Sequence, residues 1–329
     1  MDEGRLILIS NRLPYQVIRD DDAALSLEHS VGGLATALGP LHEKDGSLWV
    51  GWTGTHDDAL DPADSARVDA LLEENGCVPV HLSADDVKDY YDGFSNSTIW
   101  PLFHGFPQHA HFEKKMWDAY VRVNKLFCDA ILSIARAGDT FWIQDYHLML
   151  LPAMLRKALP NASIGFFLHI PFPDYEGFRA LPWRAEVLRG LLGCDLIGFH
   201  TYDYVRHFLS SVLRILGMEN QLGSYLVDGR IVQVDAFPLG IDYAHFRDAV
   251  DSPEVAEAIA DFPAWKQREG CKIMLSVERL DYSKGIPDRL RAFDAFLRRY
   301  PEWIGRVTLE LVAVPSREDI ASYHTLKKR

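Results

Sequence analysis

Short blocks of consecutive apolar residues alternate along this chain with longer blocks whose apolar positions recur every three or four residues. "RLILIS", "SLWVGW", "CVPVHL", "DTFWIQ", "SIGFFLHI", "DLIGFH" and "IVQVDAF" are of the first kind. Several are apolar at successive positions, as expected for parallel strands covered on both faces. "FEKKMWDAYVRVNKLFCDAILSIA" is of the second kind and predicts a long amphipathic helix, with shorter helices at "LMLLPAMLRKALP" and "WRAEVLRGLLG". This alternation predicts an α/β fold with a doubly wound parallel sheet.

The pattern is interrupted at "FPLGIDYAHF", where Pro238 and Gly240 break regular structure. A surface helix and turn follow in "SPEVAEAIADFPAWKQREG". A second alternation then runs through strand "KIMLSV", helix "IPDRLRAFDAFLRRY", strand "VTLELVAV" and helix "REDIASYHTLKKR". The expected domains are residues 1–240 and 241–329. Two strands leave sheet edges open and make a small independent domain. The expectation is therefore that the second domain is incomplete and that this chain is the front portion of a longer one. No internal repeat or low-complexity tract is present.

Composition narrows the partners. The chain has 329 residues, 48% of them hydrophobic, enough for two cores. The formal net charge is -13, which disfavours binding to nucleic acid or an anionic membrane surface. Anionic ligands must then be held by local Arg and Lys. Cys77, Cys128, Cys194 and Cys271 are widely spaced with no CxxC pair, so neither a zinc site nor a disulfide framework is expected, and a reducing compartment fits. "MDEGRLILIS" is no signal peptide, and no apolar run approaches a membrane span. A cytoplasmic location is expected.

Candidate chemistry gathers at predicted strand ends, where open α/β sheets bind ligands. Arg12 ends the first strand in "SNRLP". Asp145 and His147 follow a strand in "WIQDYHLMLLP", and His169 does so in "FFLHIPFP". Asp145 could instead be an N-cap of the following helix. Gly32 and Gly33 open an apolar helix whose amides could meet a phosphate, although ordinary helix starts use glycine too. Asp20 and Asp22 in "RDDDA" read as a solvated acidic turn within a polar loop rather than a metal–nucleotide site. "YYDGFSNSTIWPLFHGF" shows no clean period. Its Tyr90, Tyr91, Trp100 and Phe103 suit a core patch better than sugar stacking. His104, His109 and His111 lack a further ligand, so no metal is expected.

Three cations, Arg279, Lys284 and Arg317, stand at the ends of the two strands of the second domain. Arg suits bidentate phosphate contact and Lys a point charge. Surface pairing with Glu278, Asp281 and Asp288 is the plainer reading of each one singly.

Taken together, "SNRLP", "GGLATAL", "YYDGFSNSTIWPLFH", "VNKLFCDAI", "WIQDYHLMLLP", "GFFLHIPFP", "DLIGFHT", "PLGID", "SVERLDYSKGIPDRL" and "VPSRED" resemble, in order and spacing, the trehalose-6-phosphate synthase family. This is retaining glycosyltransferase family 20, of the GT-B fold with two Rossmann-like domains. The resemblance implies transfer of glucose from UDP-glucose, or another nucleotide-glucose, to glucose 6-phosphate, giving α,α-trehalose 6-phosphate. It implies an N-terminal acceptor-binding domain and a C-terminal nucleotide-sugar-binding domain. By motif, Arg12 and Arg317 would contact the acceptor phosphate, Tyr91 and Trp100 shape the acceptor pocket, and Asp145 bind acceptor hydroxyls. Gly32 and Gly33 would approach the donor, His169 touch its glucose, and Arg279 and Lys284 hold its diphosphate. His169, Asp145, Arg279 and Lys284 would form the catalytic set, with no metal or other cofactor.

The family's later motif resembling "RDGMNLVAKE" is not in this sequence, so little or no turnover is expected from this chain alone. Two alternatives stand beside this reading: a related retaining synthase such as a glucosylglycerol-phosphate synthase, and a non-catalytic sugar-phosphate-binding regulatory module. A homo-oligomer and a fused C-terminal region are both compatible with the sequence.

Overall fold

A computed structural model describes residues 4–19, 25–30, 32–45, 47–260 and 271–314. The chain divides into two compact units, Met1–Leu239 and Gly240–Arg329.

In the first unit the apolar blocks form one eight-stranded sheet. Its strands are β1 (Leu6–Arg12), β4 (Leu48–Trp52), β5 (Cys77–Pro79), β6 (Thr140–Gln144), β7 (Ser163–Leu168), β8 (Leu196–Phe199), β9 (Ser224–Val227) and β10 (Arg230–Ala236). The order is β5-β4-β1-β6-β7-β8-β10-β9, parallel except for the antiparallel edge strand β9. Ile7, Leu8 and Ile9 of β1 have no exposed surface, because a central strand is covered on both faces. Each such side chain contributes roughly 1.5–3 kcal/mol by leaving water. The helices Lys114–Ile134, Leu151–Ala158, Arg184–Leu191 and Tyr202–Leu216 pack in series, each against the next.

Three local expectations change. The predicted polar loop contains β3 (Leu25–His29), paired antiparallel with β2 (Tyr15–Arg19). Alternation in "LSLEH" drives this: Leu25 and Leu27 pack with Tyr15 and Val17 onto the Leu38 and Trp49 core, while Glu28 faces out. Asp20 and Asp22 lie outside the described residues. β9 is also an addition to the predicted strands.

The aromatic stretch without a period is helical. Val87–Ile99 is wound as a π-helix and leads directly into Trp100–Phe103. Bonds to the fifth residue, such as Trp100 N–H to the Ser95 carbonyl, bring Tyr90, Phe94, Ser95 and Ile99 to one buried face. A search at the α-helical period finds no stripe there. Such wide turns are rare and concentrate at functional sites.

The second unit contains β11 (Lys272–Arg279) and β12 (Val307–Val314), parallel and in register from Lys272↔Val307 to Arg279↔Val314. The helix Ile286–Arg299 joins them. The predicted C-terminal helix, with Arg317, lies outside the described residues. No described helix is long and apolar enough to cross a membrane.

Candidate active site

Strand order locates the site. From β1 the sheet grows one way to β4 and β5 and the other way to β6, β7 and β8. The β1–β6 junction is a topological switch point, and open α/β sheets bind ligands at the carboxyl ends of the strands there. Arg12 closes β1, Asp145 follows β6, His169 follows β7, and His200 follows β8.

Arg12 is exposed but held. Its Nη2 donates to the Gly54 carbonyl at 3.2 Å, and its guanidinium carbon lies 4.9 Å from the Trp52 ring centre. Gly54 has φ 94°, and a Cβ there would lie 2.8 Å from the Arg12 guanidinium carbon, so glycine provides both the turn and the room. Aromatic contacts extend from this cation. Trp52 meets Tyr91 edge-on at 5.6 Å, and Tyr91 stacks on His147 at 5.8 Å with planes 14° apart. Beneath them, Tyr90 donates to Asn11 Oδ1 at 2.7 Å, which ties the π-helix to the end of β1. Tyr91 is half-buried. Trp100 is only 6% exposed and packs on Tyr146 and His104.

Asp145 has φ 71° and ψ 172°, a region that non-glycine residues avoid. It precedes the turn Tyr146–Leu148 but caps nothing with its side chain, which corrects the N-cap alternative. Its backbone N–H continues the ladder to Phe167 O at 2.7 Å, and its Oδ1 accepts from the His169 backbone N–H at 3.2 Å. Strain of this kind persists where surrounding structure over-determines it, often at active sites.

His169 pairs through Nε2 with Gln144 Oε1 at 2.9 Å. Its ring lies 4.7 Å from Phe167 and 5.6 Å, edge-on, from His200. Burial, with the nearby His200, lowers its pKa to about 4, so the imidazole is uncharged at neutral pH. Burial also lowers His200, partly offset by its bond to the His169 backbone.

Gly32 takes the cap position, its carbonyl accepting from Thr36 N–H at 2.9 Å, and Gly33 opens the helix Gly33–Asp45. Both are exposed, and a Cβ built on either meets nothing within 4 Å. A helix N-terminus directs its first amides outward, the arrangement that suits an anion.

In the second unit, Arg279 ends β11 and Lys284 lies in the turn Tyr282–Lys284, both exposed. Glu278 pairs with Arg289, Asp288 pairs with Arg291, and Asp281 Oδ1 accepts from Ser283 N–H at 2.9 Å. Arg289 Nη2 also donates to Lys284 O at 3.1 Å, fastening the loop to the helix. Two cations thus stand at a strand end beside a helix N-terminus.

Arg12 and Tyr91 are linked through Trp52, and Asp145 and His169 through a direct bond. Gly32 and Gly33 form a separate patch of the same unit, and Arg279 and Lys284 belong to the other unit. Sequence reasoning passed over Trp52, Gly54, Gln144 and His200. His200 carries the same strand-end signal as His169 and was within reach of that rule.

Residues 4–329 match glycosyltransferase family 20. The chain belongs to that family. An α,α-trehalose-phosphate synthase (UDP-forming) from Pichia angusta is 46% identical over 99% of this chain and 70% of its own length. A Burkholderia xenovorans α,α-trehalose-phosphate synthase (UDP-forming), solved in complex with glucose 6-phosphate, is similar at 28% identity and TM-score 0.83, covering 99% of this chain and 69% of the other. The N-terminal domain of a Candida albicans trehalose-6-phosphate phosphatase is similar at 32% identity and TM-score 0.85, over 99% of this chain and 67% of that one. The chain thus spans about two thirds of the length of these family 20 relatives, and its fold is of the GT-B type.

Proposed function

We propose that this chain forms the acceptor side and part of the donor side of a retaining glucosyltransferase. The reaction would pass glucose from UDP-glucose to glucose 6-phosphate and yield α,α-trehalose 6-phosphate. The observation that carries this is the strand-end constellation of the first unit. A guanidinium held over Trp52 suits a sugar phosphate, the aromatic wall suits a sugar ring, and a strained Asp145 offers a carboxylate. The names of the relatives support the same substrates: one synthase is solved with glucose 6-phosphate, and UDP is the by-product named. A trehalose phosphate contains two glucose units, so the second must come from a UDP-linked glucose.

In this reading Arg12 binds the acceptor phosphate, Tyr91 and Trp52 flank the acceptor ring, and Asp145 accepts from its hydroxyls. Trp100 supports the pocket through Tyr146. The helix start at Gly32 and Gly33 meets the donor, and His169 contacts the donor glucose as a neutral ring. As the glycosidic bond to the donor breaks, negative charge grows on the β-phosphate oxygen. Arg279 and Lys284 stabilise it most in the transition state, the role a metal would otherwise fill. A metal-free reaction is part of the proposal. So is a cytoplasmic setting, which the four free thiols support.

Calorimetry with glucose 6-phosphate tests the acceptor side. Saturable binding lost in Arg12→Ala supports the reading, and no binding, or binding indifferent to Arg12, overturns it. Turnover with UDP-glucose when a relative's segment carrying the motif resembling "RDGMNLVAKE" is supplied separates a synthase from a module that only binds sugar phosphate, which would stay inactive even then.

A further inference from the structure

The ring of His169 has a definite tautomer, and its neighbours determine which. Gln144 is fully buried at the last position of β6. Its amide makes two contacts: Nε2 to the Trp142 carbonyl at 3.4 Å, and Oε1 to His169 Nε2 at 2.9 Å. Turning the amide over would set its oxygen against the Trp142 carbonyl, two acceptors facing each other. The network therefore leaves Oε1 toward the histidine. An oxygen with no proton can only accept, so the proton must be on His169 Nε2.

We propose that Gln144 is a positioning residue that holds His169 as the Nε2–H tautomer, with Nδ1 as the ring's acceptor.

The surroundings agree. The His169 backbone is fastened to Asp145 Oδ1 at 3.2 Å, and Phe167 and the edge of His200 contact its ring. Among the described residues, the titratable groups facing it are Asp145 from the end of β6 and His200 from the end of β8. The carboxylate bonds the backbone amide rather than the ring. Protonating Nδ1 would place an imidazolium in a largely buried site beside a second histidine, which fits the depressed pKa. The outward-acting group of His169 is then a hydrogen-bond acceptor, suited to a sugar hydroxyl and unable to act as an acid. This meaning rests on the proposed reading of His169 as a donor-sugar contact, whereas the tautomer itself does not.

The test is nitrogen NMR of the full chain labelled at histidine, with the His169 signals assigned by their loss in His169→Gln. The expected wild-type spectrum shows a protonated Nε2 and a bare Nδ1 that stays unprotonated down to about pH 5. In Gln144→Leu the two tautomers mix. In the isosteric Gln144→Glu the added carboxylate raises the titration midpoint by at least one pH unit. A wild-type ring protonated on Nδ1, or charged at neutral pH, overturns the proposal. So does an unchanged tautomer in Gln144→Leu, provided that the His200 signals show an intact site. The readout needs no turnover, so failure of the proposed reaction would leave it standing.

Discussion

Asp145 offers a direct measure of strain at the site. A non-glycine residue at φ 71° and ψ 172° costs about 1–3 kcal/mol. Its carboxylate returns about 1 kcal/mol through the bond to the His169 amide. Asp145→Ala keeps the strain and loses the bond, so it should be about 1 kcal/mol less stable than the parent. Asp145→Gly loses the same bond but releases the strain, against roughly 0.5–1 kcal/mol of added chain entropy. The glycine variant should therefore exceed the alanine variant by about 1 kcal/mol, the reverse of the usual order. Urea unfolding followed by tryptophan fluorescence reports mainly this unit, which holds six of the eight tryptophans, Trp49, Trp52 and Trp142 among them. With a slope near 3 kcal/mol per molar, the midpoints should differ by about 0.3 M at equal slope. Both variants should lose glucose 6-phosphate binding equally, since both lack the carboxylate. An alanine variant as stable as the glycine variant would refute the strain argument, and glycine-variant binding equal to the parent's would refute the role of the carboxylate.

Three further outcomes follow from the same geometry. Gly54→Ala should push the guanidinium of Arg12 off Trp52, weakening glucose 6-phosphate binding by about tenfold, or 1.4 kcal/mol, in calorimetry; unchanged affinity would separate Arg12 from the acceptor. His169 has its folded pKa lowered from 6.5 to about 4, so its contribution is complete above pH 6.5 and is lost as pH falls toward 4, by up to about 3 kcal/mol. His169→Gln should flatten the pH dependence of the urea midpoint in that window, and an unflattened profile would count against the burial argument. Burial by itself would raise the Asp139 carboxyl, but Arg5, at 2.7 Å, and backbone amides lower it below the usual carboxylate range. The stability from this pair is present above about pH 4 and lost as pH falls through the folded value. Arg5→Ala should cost about 3 kcal/mol at pH 7 and less at pH 3, read from paired urea curves.

The legible parts of this protein were those with local causes. Runs such as "LILIS" and "SIGFFL" report burial on both faces, and burial on both faces means a parallel strand. The strand-end rule then picked out Arg12, Asp145 and His169 without any coordinates. The hairpin of β2 and β3 was hidden because "RDDDA" looks like a loop and the alternation beyond it is only five residues long. The aromatic helix was hidden because its turns close to the fifth residue, a period outside the usual search.

By itself, the order of apolar and polar residues determined the fold class, seven of the eight strands of the main sheet and the strand ends at which chemistry collects. Each follows from interactions within a short segment, so each leaves a local trace. Only the tertiary structure decided the posture of Arg12 over Trp52, the strained backbone of Asp145, and the buried amide of Gln144 that governs the His169 proton. Those depend on pairs such as Arg12 with Gly54 and Gln144 with His169, whose partners are distant in the chain. No local pattern encodes a contact that exists only after the sheet has closed around it.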